Sequence, residues 1–357
     1  MTALIVIIIL CALIIAHEFG HFIVAKLFHV RVDEFGLGYP PRALSLGKWW
    51  GTEYTINWIP FGGFVRIFGE DGAGGAESFG GKSVFARVSI LSAGVVANMI
   101  VAWFLIATTL LIGGFVPAET ASVNTKLMVT NVLEKSPAVA LHATAGDLIT
   151  SIASKKDSLS EFTPDAARAF ISLHAGESLH VTFKHNDISM SGDATPAQAV
   201  VSGSENRAAL GIGLALVEYR SFNPIEAFGI ALNDVRTLFV ETVQGLIHLL
   251  STAIFGGFTA KDLSGPLGLA SVVGDALPHG PTAILRVAAF ISINLAVINL
   301  VPIPLLDGGR IAIILIEALL RRKIPRVSLH VLHTFSLLLI GALMVYVTWN
   351  DIAHLLA

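Results

Sequence analysis

Four long apolar stretches dominate the pattern of hydrophobic and polar positions along the chain. Each approaches the roughly 20 residues that an α-helix needs to cross a bilayer. They cover residues 3–27, 90–116, 283–306 and 331–349, numbered here as spans one to four. The pattern predicts a polytopic α-helical membrane protein with four transmembrane helices.

The composition supports this class of protein. Hydrophobic residues make up 54% of the 357 residues and charged residues only 14%, whereas soluble domains carry about 25% charged residues. A secretory signal peptide is the alternative for span one, but such peptides begin with basic residues, and the first basic residue here is Lys26. No long basic run suggests a nucleic-acid partner. The single cysteine, Cys11, excludes an internal disulfide and a cysteine-based zinc site.

The distribution of basic residues predicts how the spans are oriented. Lys and Arg are frequent in the connection between spans one and two and in the connection between spans three and four. These residues are Lys26, Arg31, Arg42, Lys48, Arg66, Lys82, Arg87, Arg310, Arg321, Arg322, Lys323 and Arg326. Because such loops remain in the cytoplasm, both connections are expected there, and the long segment between spans two and three is expected on the other side.

Soluble character returns in that long segment. Apolar runs and turn residues predict strands at residues 127–133, 148–152, 178–184 and 209–217. Thr163, Pro164 and Asp165 place a cap, a proline and an acid at the start of a helix. The pattern predicts one small inserted α/β module.

The segment after this module has an amphipathic pattern. Residues 224–258 are apolar but are interrupted by charged residues such as Asp234 and Glu241, which favours a helix lying on the membrane surface. A fifth span at residues 242–258 is the alternative, and it would place Asp307 on the opposite side of the membrane from His17.

Together these assignments divide the chain into four regions. They are residues 1–116 with spans one and two, residues 117–221 with the module, residues 222–282 with the surface helix and a linker, and residues 283–357 with spans three and four.

Span one contains an H-E-x-x-H pattern at His17, Glu18 and His21. Residues four apart share a face of a helix, so the two imidazoles can bind one ion, and Glu18 is the candidate general base beside it. Ionisable groups at the centre of a spanning helix cost about 2.5–3.5 kcal/mol each, which a divalent cation would offset. Polar packing between helices is the alternative.

Asp307 is the candidate third metal ligand. Hydrolytic zinc sites usually have three protein ligands and one open position. Asp307 lies near the cytoplasmic end of span three, at a depth similar to that of His17 and His21 in span one. Pro302 and Pro304 would interrupt the helix there and free backbone groups within a protein-lined cavity. A cap for the next helix is the alternative role of Asp307.

Residues 53–68 are predicted to form a β-hairpin with an available edge. Tyr54 and Ile56 alternate with polar residues, and a turn containing Phe61 and Gly62 follows. A substrate helix hides its peptide bonds, so an unwound substrate could add to this edge as an extra strand. An ordinary cytoplasmic hairpin is the alternative.

The motif His17-Glu18-Phe19-Gly20-His21, together with Leu306-Asp307-Gly308, resembles the site-2 protease family, in particular its bacterial RseP-type branch of regulator-of-sigma-E proteases. The resemblance extends over nearly the whole chain. Further matching positions are Lys82-Ser83-Val84, Arg87, Ala93-Gly94, Asn98 and Ser264-Gly265-Pro266. The chain departs from the family at Val95, where proline is common, and in having room for a single PDZ-like module.

The resemblance implies an intramembrane zinc metalloendopeptidase in the bacterial inner membrane, acting on single-span membrane proteins such as anti-sigma factors or signal peptide remnants. It implies Zn2+ ligation by His17, His21 and Asp307, catalysis by Glu18, and substrate binding by Asn299. The fold expected from it is four transmembrane helices, a membrane re-entrant β hairpin and one inserted α/β PDZ-like domain in the periplasm. Pro302 and the hairpin residues Tyr54, Ile56, Phe61 and Gly62 complete the predicted substrate-binding set.

Two other functions are compatible with a membrane protein of this kind. A catalytically silent scaffold could bind partners through its PDZ-like domain, but it would need neither motif. A metal transporter would also place His and Asp inside a membrane, but no internal repeat or carboxylate relay is apparent. The sequence leaves the oligomeric state open.

Overall fold

The computed structural model describes residues 2–70, 74–118, 120–133, 136–185, 188–198, 208–255 and 266–356. The chain forms two compact units. The first, the helical unit, comprises residues 1–108 and 224–357, and the second, the sheet unit, comprises residues 109–223.

Eight α-helices occur in the described residues. They are α1 Thr2–Leu27, α2 Val84–Ile112, α3 Pro164–Leu173, α4 Pro224–Phe255, α5 Pro266–Ala276, α6 Pro281–Leu300, α7 Asp307–Leu320 and α8 Arg326–Leu356. Short 3-10 turns lie at Phe79–Gly81, Pro137–Leu141 and Leu277–His279.

Four of the described helices are long and apolar enough to cross a membrane: Thr2–Leu27, Val84–Ile112, Pro281–Leu300 and Val327–Asn350. This confirms the four predicted spans and the class of polytopic helical membrane protein. Helix α2 begins six residues before the predicted start of span two. The Ser83 hydroxyl accepts a hydrogen bond from the Ala86 amide at 3.2 Å and so caps the helix ahead of the apolar run.

Helix α4 is continuous over 32 residues and is not among the four candidate spans. Its location on the membrane surface stays a prediction. Residues 256–258 of the alternative fifth span, and Ser264 and Gly265 of the family motif, lie outside the described residues.

The helical unit also contains a sheet formed by β1 Val32–Trp49 and β2 Thr52–Ile67. The sequence predicted a turn at Pro60–Gly63 and pairing between the segments that flank it. In the structure the tight turn is at Trp50 and Gly51, which both have positive φ, and β1 is a strand that the prediction missed.

Strand β1 lies between two stretches of β2. Phe35 pairs with Val65 on one side and with Tyr54 on the other, and Tyr54 also pairs with Gly47. The four stretches therefore run in the order 63–67, 32–37, 53–57 and 42–49. The prediction of an available edge at Tyr54 and Ile56 was wrong, because β1 borders that stretch on both sides; the outer stretches are residues 63–67 and 42–49.

The Glu34 carboxylate links these four stretches. It accepts a hydrogen bond from Thr55 at 2.8 Å and forms ion pairs with Arg42 at 3.1 Å and Arg66 at 3.0 Å. Only 5% of Glu34 is exposed, and a buried carboxylate needs such partners to remain ionised. The ion pairs therefore hold the outer stretches to the centre of the sheet.

Two apolar clusters hold α1 in place. The second half of α1 packs through Phe22 and Ala25 against the sheet, α2 and α7, with Ile90 and Ile314 in the same cluster. The first half packs through Val6, Ile9 and Leu13 against α5 and α6. Helix α1 is thus fixed along its whole length, which restricts the positions of its polar residues.

The sheet unit has six strands in the order β3-β8-β4-β5-β6-β7. They are β3 Gly114–Pro117, β4 Thr125–Val132, β5 Leu148–Ala153, β6 Leu179–His185, β7 Ile188–Ala194 and β8 Ile212–Arg220. The four predicted strands and the helix after Thr163 are present, whereas β3 and β7 were missed because they are short or mostly exposed. The core of this unit includes Leu127, Ile152, Leu179 and Phe183.

Candidate metal centre

His17 and His21 lie on one face of α1, as their spacing predicted. Their Nε2 atoms are 3.1 Å apart, and the rings meet edge to face with centroids 4.7 Å apart. Both side chains are buried, with 8% and 7% of each residue exposed. Two polar rings buried in an apolar helix require polar partners.

Asp307 provides such a partner from a distant part of the chain. Its Oδ2 lies 3.0 Å from His17 Nε2 and 3.2 Å from His21 Nε2. Asp307 is the first residue of α7, and Leu306 occupies the cap position without a side-chain cap bond. The Asp307 side chain is therefore turned toward the histidines, which disfavours the alternative role as a helix cap.

The connection between α6 and α7 brings Asp307 to the histidines. Helix α6 ends at Leu300, and residues 301–306 are not helical. A Cβ atom at Gly308 would lie 2.1 Å from the Leu300 carbonyl oxygen, and one at Gly309 would lie 2.1 Å from that of Ile303. Because only glycine permits this contact, the two glycines after Asp307 allow the chain to fold back tightly.

The hydrogen-bonding pattern indicates a cation between the three side chains. His21 Nδ1 lies 2.7 Å from the Ile90 carbonyl oxygen and donates its proton there, so in the neutral ring that binds a metal Nε2 presents a lone pair. That lone pair points at a carboxylate oxygen, which is also an acceptor. A metal ion resolves this opposition of acceptors.

The donor set fits zinc. Histidine nitrogens and carboxylate oxygens bind zinc at about 2.0–2.2 Å, which places neighbouring ligand atoms of a tetrahedral site about 3.3 Å apart. The observed separations of 3.0–3.2 Å approach this value. The three residues form a candidate metal-binding group.

Helix α2 contributes features that the sequence prediction gave no role. A Cβ atom at Gly94 would lie 2.4 Å from His21 Nε2 and 2.5 Å from His17 Cε1. A Cβ at Gly20 of α1 would lie 2.4 Å from the Ala93 carbonyl oxygen. Small residues let spanning helices approach closely, and here they leave room for the imidazoles. A glycine has no chemical signal of its own, so only the matching Ala93-Gly94 pair pointed to this position.

Asn98 of α2 lies behind His17. Its Nδ2 is 3.4 Å from His17 Nδ1, and its buried Oδ1 has no hydrogen-bond partner in the described part of the chain. Half a turn of the amide would present Oδ1 to a protonated Nδ1, leaving Nε2 free to bind metal. Such outer partners orient metal-binding histidines.

Glu18 lies beside the sheet of the helical unit. The backbone amide of Val65 hydrogen-bonds to its carboxylate, and a Cβ atom at Gly63 would lie 3.7 Å from Glu18 Cγ. Residues 63–67 form an outer stretch of that sheet, and within the described residues β1 is their one strand partner, so an unpaired strand edge and the Glu18 carboxylate lie next to each other.

The sequence was compared with protein families and with known proteins. Residues 5–343 match Peptidase family M50. The chain belongs to this family.

Relatives of this M50 chain include proteins of Clostridium perfringens, Nostoc and Fusobacterium nucleatum, whose names propose them as zinc metalloproteases. The Clostridium protein is 32% identical, over 96% of this chain and 95% of its own length. The Nostoc protein is 32% identical over 96% and 93%, and the Fusobacterium protein is 30% identical over 99% and 98%. This M50 chain is a zinc metalloprotease with a His17, His21 and Asp307 metal site.

The predicted substrate-binding residues of this M50 chain lie in two places. Asn299 is half-buried on the last turn of α6, and Pro302 is exposed in the connection that leads to Asp307. Tyr54 packs against the aromatic rings of Phe22, Phe35 and Trp49.

The remaining three predicted residues belong to the sheet of the helical unit. Ile56 is 37% exposed. Gly62 lies against Tyr39, whose ring would be 2.9 Å from a Cβ atom at that position. The backbone of Phe61 belongs to β2, but its side chain lies outside the described residues.

The sheet unit contains a separate cavity of about 520 Å3. It lies between α3, through Arg168, Ile171 and Ser172, and the residues 208–214 at the start of β8. Strand β3 pairs with β8 from Val217 to Arg220, so the earlier part of β8 has β4 as its one strand neighbour within the described residues. An apolar groove thus runs along a partly open strand edge.

Proposed function

We propose that this zinc metalloprotease hydrolyses peptide bonds within the spanning segments of single-span membrane proteins, as an RseP-type enzyme. The location of the metal site supports the proposal. His17 and His21 belong to candidate span Thr2–Leu27, and His21 precedes the end of that helix by six residues, or about 9 Å. The site is thus within the apolar length of the helix.

Each side chain has a definite role in this reaction. His17, His21 and Asp307 would hold the zinc ion, which would supply polarisation of the scissile carbonyl and a lower pKa for water. Glu18 accepts a proton from the attacking water and later donates it to the leaving amine. The hydrogen bond from the Val65 amide holds the carboxylate beside the sheet edge.

Asn299 is proposed to bind the substrate backbone or the developing oxyanion. It is half-buried near the end of α6, and the chain reaches Asp307 eight residues later. An amide that donates to the charged oxygen stabilises the transition state more than the ground state. Pro302 lies on the same connection and interrupts the regular backbone hydrogen bonding there.

An unwound substrate is proposed to pair with residues 63–67. This outer stretch has β1 on one side, and the Glu18 carboxylate lies beside it. Adding a strand there would restore hydrogen bonds that the substrate lost on unwinding and would bring its backbone toward the metal. Tyr54 and Ile56 lie in the inner stretch behind this edge, and the backbone of Phe61 and Gly62 leads into it along β2. We propose that this sheet is a membrane re-entrant loop.

The sheet unit is proposed to be a PDZ-like domain. Its groove between α3 and β8 combines an open strand edge with apolar side chains, the arrangement in which a peptide adds a strand to a sheet. Under this proposal the domain lies in the periplasm, the metal site lies toward the cytoplasmic leaflet of the bacterial inner membrane, and substrates include anti-sigma factors or signal peptide remnants.

Substitution Glu18→Gln tests the proposed reaction. The variant keeps the shape of the side chain but cannot act as a base, so cleavage of a single-span substrate in vesicles should fall by at least about 100-fold. Zinc content, measured by atomic absorption, should equal that of the unmodified protein. Glu317→Gln on α7 is the matched control and should retain activity. Full cleavage by Glu18→Gln would refute the assigned base, and an unmodified protein that binds zinc but cleaves no substrate would favour the scaffold alternative.

Substitution Val65→Pro tests the proposed substrate edge. Proline removes the amide that hydrogen-bonds Glu18 and blocks pairing at the outer stretch, so cleavage should fall while zinc content is retained. Ser45→Pro in the opposite outer stretch is the control. An equal effect of both substitutions would mean that the sheet as a whole, rather than this edge, is required.

A further inference from the structure

A second polar site lies in the helical unit, in a cavity of about 390 Å3. We call it the cationic cavity. Its polar lining is contributed by the loop before α2, by α2, by α7, by the connection between α7 and α8, and by the start of α8. These residues are Glu70, Arg87, Arg310, Glu317, Lys323 and His333.

The acidic residues of the cationic cavity already have partners. Glu70 forms an ion pair with Arg310. Glu317 accepts a hydrogen bond from the Ile324 amide at 3.0 Å. The charge of Glu70 is thus balanced within the cavity, and Glu317 has a backbone hydrogen-bond donor.

The basic residues Arg87 and Lys323 are not matched in this way. Arg87 Nε is buried and has no hydrogen-bond partner among the described residues. No ion pair joins Arg87 or Lys323 to a described carboxylate. A buried guanidinium nitrogen without an acceptor is costly, so the cavity is chemically suited to an anion.

The position of the cationic cavity restricts the kind of anion. Arg87 lies in the first turn of α2 and His333 in the second turn of α8, and the candidate spans begin at Val84 and Val327. Two spanning helices thus start at the cavity, which places it near one face of the bilayer, where lipid phosphates lie. Basic pockets between spanning helices at this depth suit anionic headgroups.

The neighbouring surface is suited to acyl chains. Leu91 and Ile313 contribute apolar lining to the cavity. Along α8, Val327, Val331 and Phe335 are 76%, 65% and 63% exposed. A lipid can therefore place its phosphate in the cavity and its tails along α8, whereas a free anion would use the basic groups alone.

We propose that the cationic cavity binds the phosphate of an anionic phospholipid, held by Arg87 and Lys323. This site is separate from the metal centre and does not depend on the proposed proteolytic reaction. Bound lipid would join α2, α7 and α8 at one membrane face.

Native mass spectrometry of the full-length protein, released from micelles containing phosphatidylglycerol or phosphatidylcholine, tests the proposal. Phosphatidylglycerol should remain bound, and zwitterionic phosphatidylcholine with the same acyl chains should be lost. The double substitution Arg87→Gln and Lys323→Gln should weaken phosphatidylglycerol binding by about fivefold for each charge removed. Arg322→Gln, at an exposed neighbour outside the cavity lining, is the matched control.

Zinc content provides the folding control, and Arg87→Lys provides a variant that keeps the charge and should retain the lipid. Equal retention of both lipids, or phosphatidylglycerol binding that is unchanged in the double variant, would overturn the proposal. A different outcome is that inorganic phosphate raises the melting temperature only when Arg87 is present, without selective retention of either lipid. This result would identify a soluble anion as the ligand and would also overturn the proposal.

Discussion

Helices α2 and α7 contribute residues to both the metal centre and the cationic cavity, yet the two sites select opposite ligands. Helix α2 supplies Gly94 to the first and Arg87 to the second, and α7 supplies Asp307 and Arg310 respectively. At the metal centre the ligand atoms of His17, His21 and Asp307 converge on one point, whereas at the cavity the buried Arg87 Nε has no acceptor among the described residues. In a membrane protein, unmatched groups of one kind therefore predict a ligand of the other kind.

Among substitutions that distinguish the metal centre from the cationic cavity, Asp307→Ala should have the largest effect on zinc affinity. Loss of a hydrogen-bond partner of a metal ligand lowers metal affinity by about 10- to 100-fold. Removal of one of the three protein ligands should lower zinc affinity by more than this. Competition with a chelating dye measures the affinity. Lipid retention at the cationic cavity should not change, and a joint loss of zinc and lipid would show that the two sites depend on each other.

Gly94→Ala should have the next largest effect. The added methyl group would lie 2.4 Å from His21 Nε2, so the imidazoles must move and zinc binding should weaken. Absorption spectra of the cobalt-substituted protein report the ligand geometry. Gly229→Ala in α4, where a Cβ atom meets nothing within 4 Å, is the control. An unaltered cobalt spectrum for Gly94→Ala would contradict the close contact between α2 and the histidines.

Asn98→Ala should have a smaller effect, because Asn98 touches His17 and not the metal. Loss of this partner should weaken zinc binding by about 10- to 100-fold. The same chelator competition measures it, and Asn294→Ala, which removes an amide bonded to the Phe290 carbonyl oxygen at 2.8 Å, is the control. Equal zinc affinity in the Asn98 variant and the unmodified protein would refute an orienting role.

Lys323→Gln should have the smallest effect on the metal centre. Lys323 lines the cationic cavity and has no contact with the three metal ligands, so zinc affinity and cleavage in detergent should stay within about twofold of the unmodified protein, a difference of about 0.4 kcal/mol. A larger loss of zinc would mean that the comparison between two independent sites is wrong.

The sequence predicted those features that local pattern determines. Hydropathy placed the four spans, and residue spacing together with charge distribution brought His17, His21 and Asp307 to one site. The sheet of the helical unit was mispredicted because strand order depends on distant pairing, and nothing local indicates that Phe35 pairs with both Tyr54 and Val65.

The roles of Gly94 and of the cationic cavity were missed for a different reason. Gly94 acts by having no side chain, so it carries no functional group from which its role could be predicted. Glu70, Arg87, Arg310 and Lys323 are far apart in sequence, and each resembles an ordinary basic or acidic residue at the end of a spanning helix. Only the folded structure shows which charges have partners.

The placement of β1 between two stretches of β2 limits how the sheet can deform. Each inner stretch is hydrogen-bonded on both sides, and Glu34 joins three neighbours across the sheet. An incoming polypeptide can add a strand at an outer edge of such a sheet but cannot separate its inner strands. The sheet should therefore act as a rigid template whose shape stays constant from one bound peptide to the next.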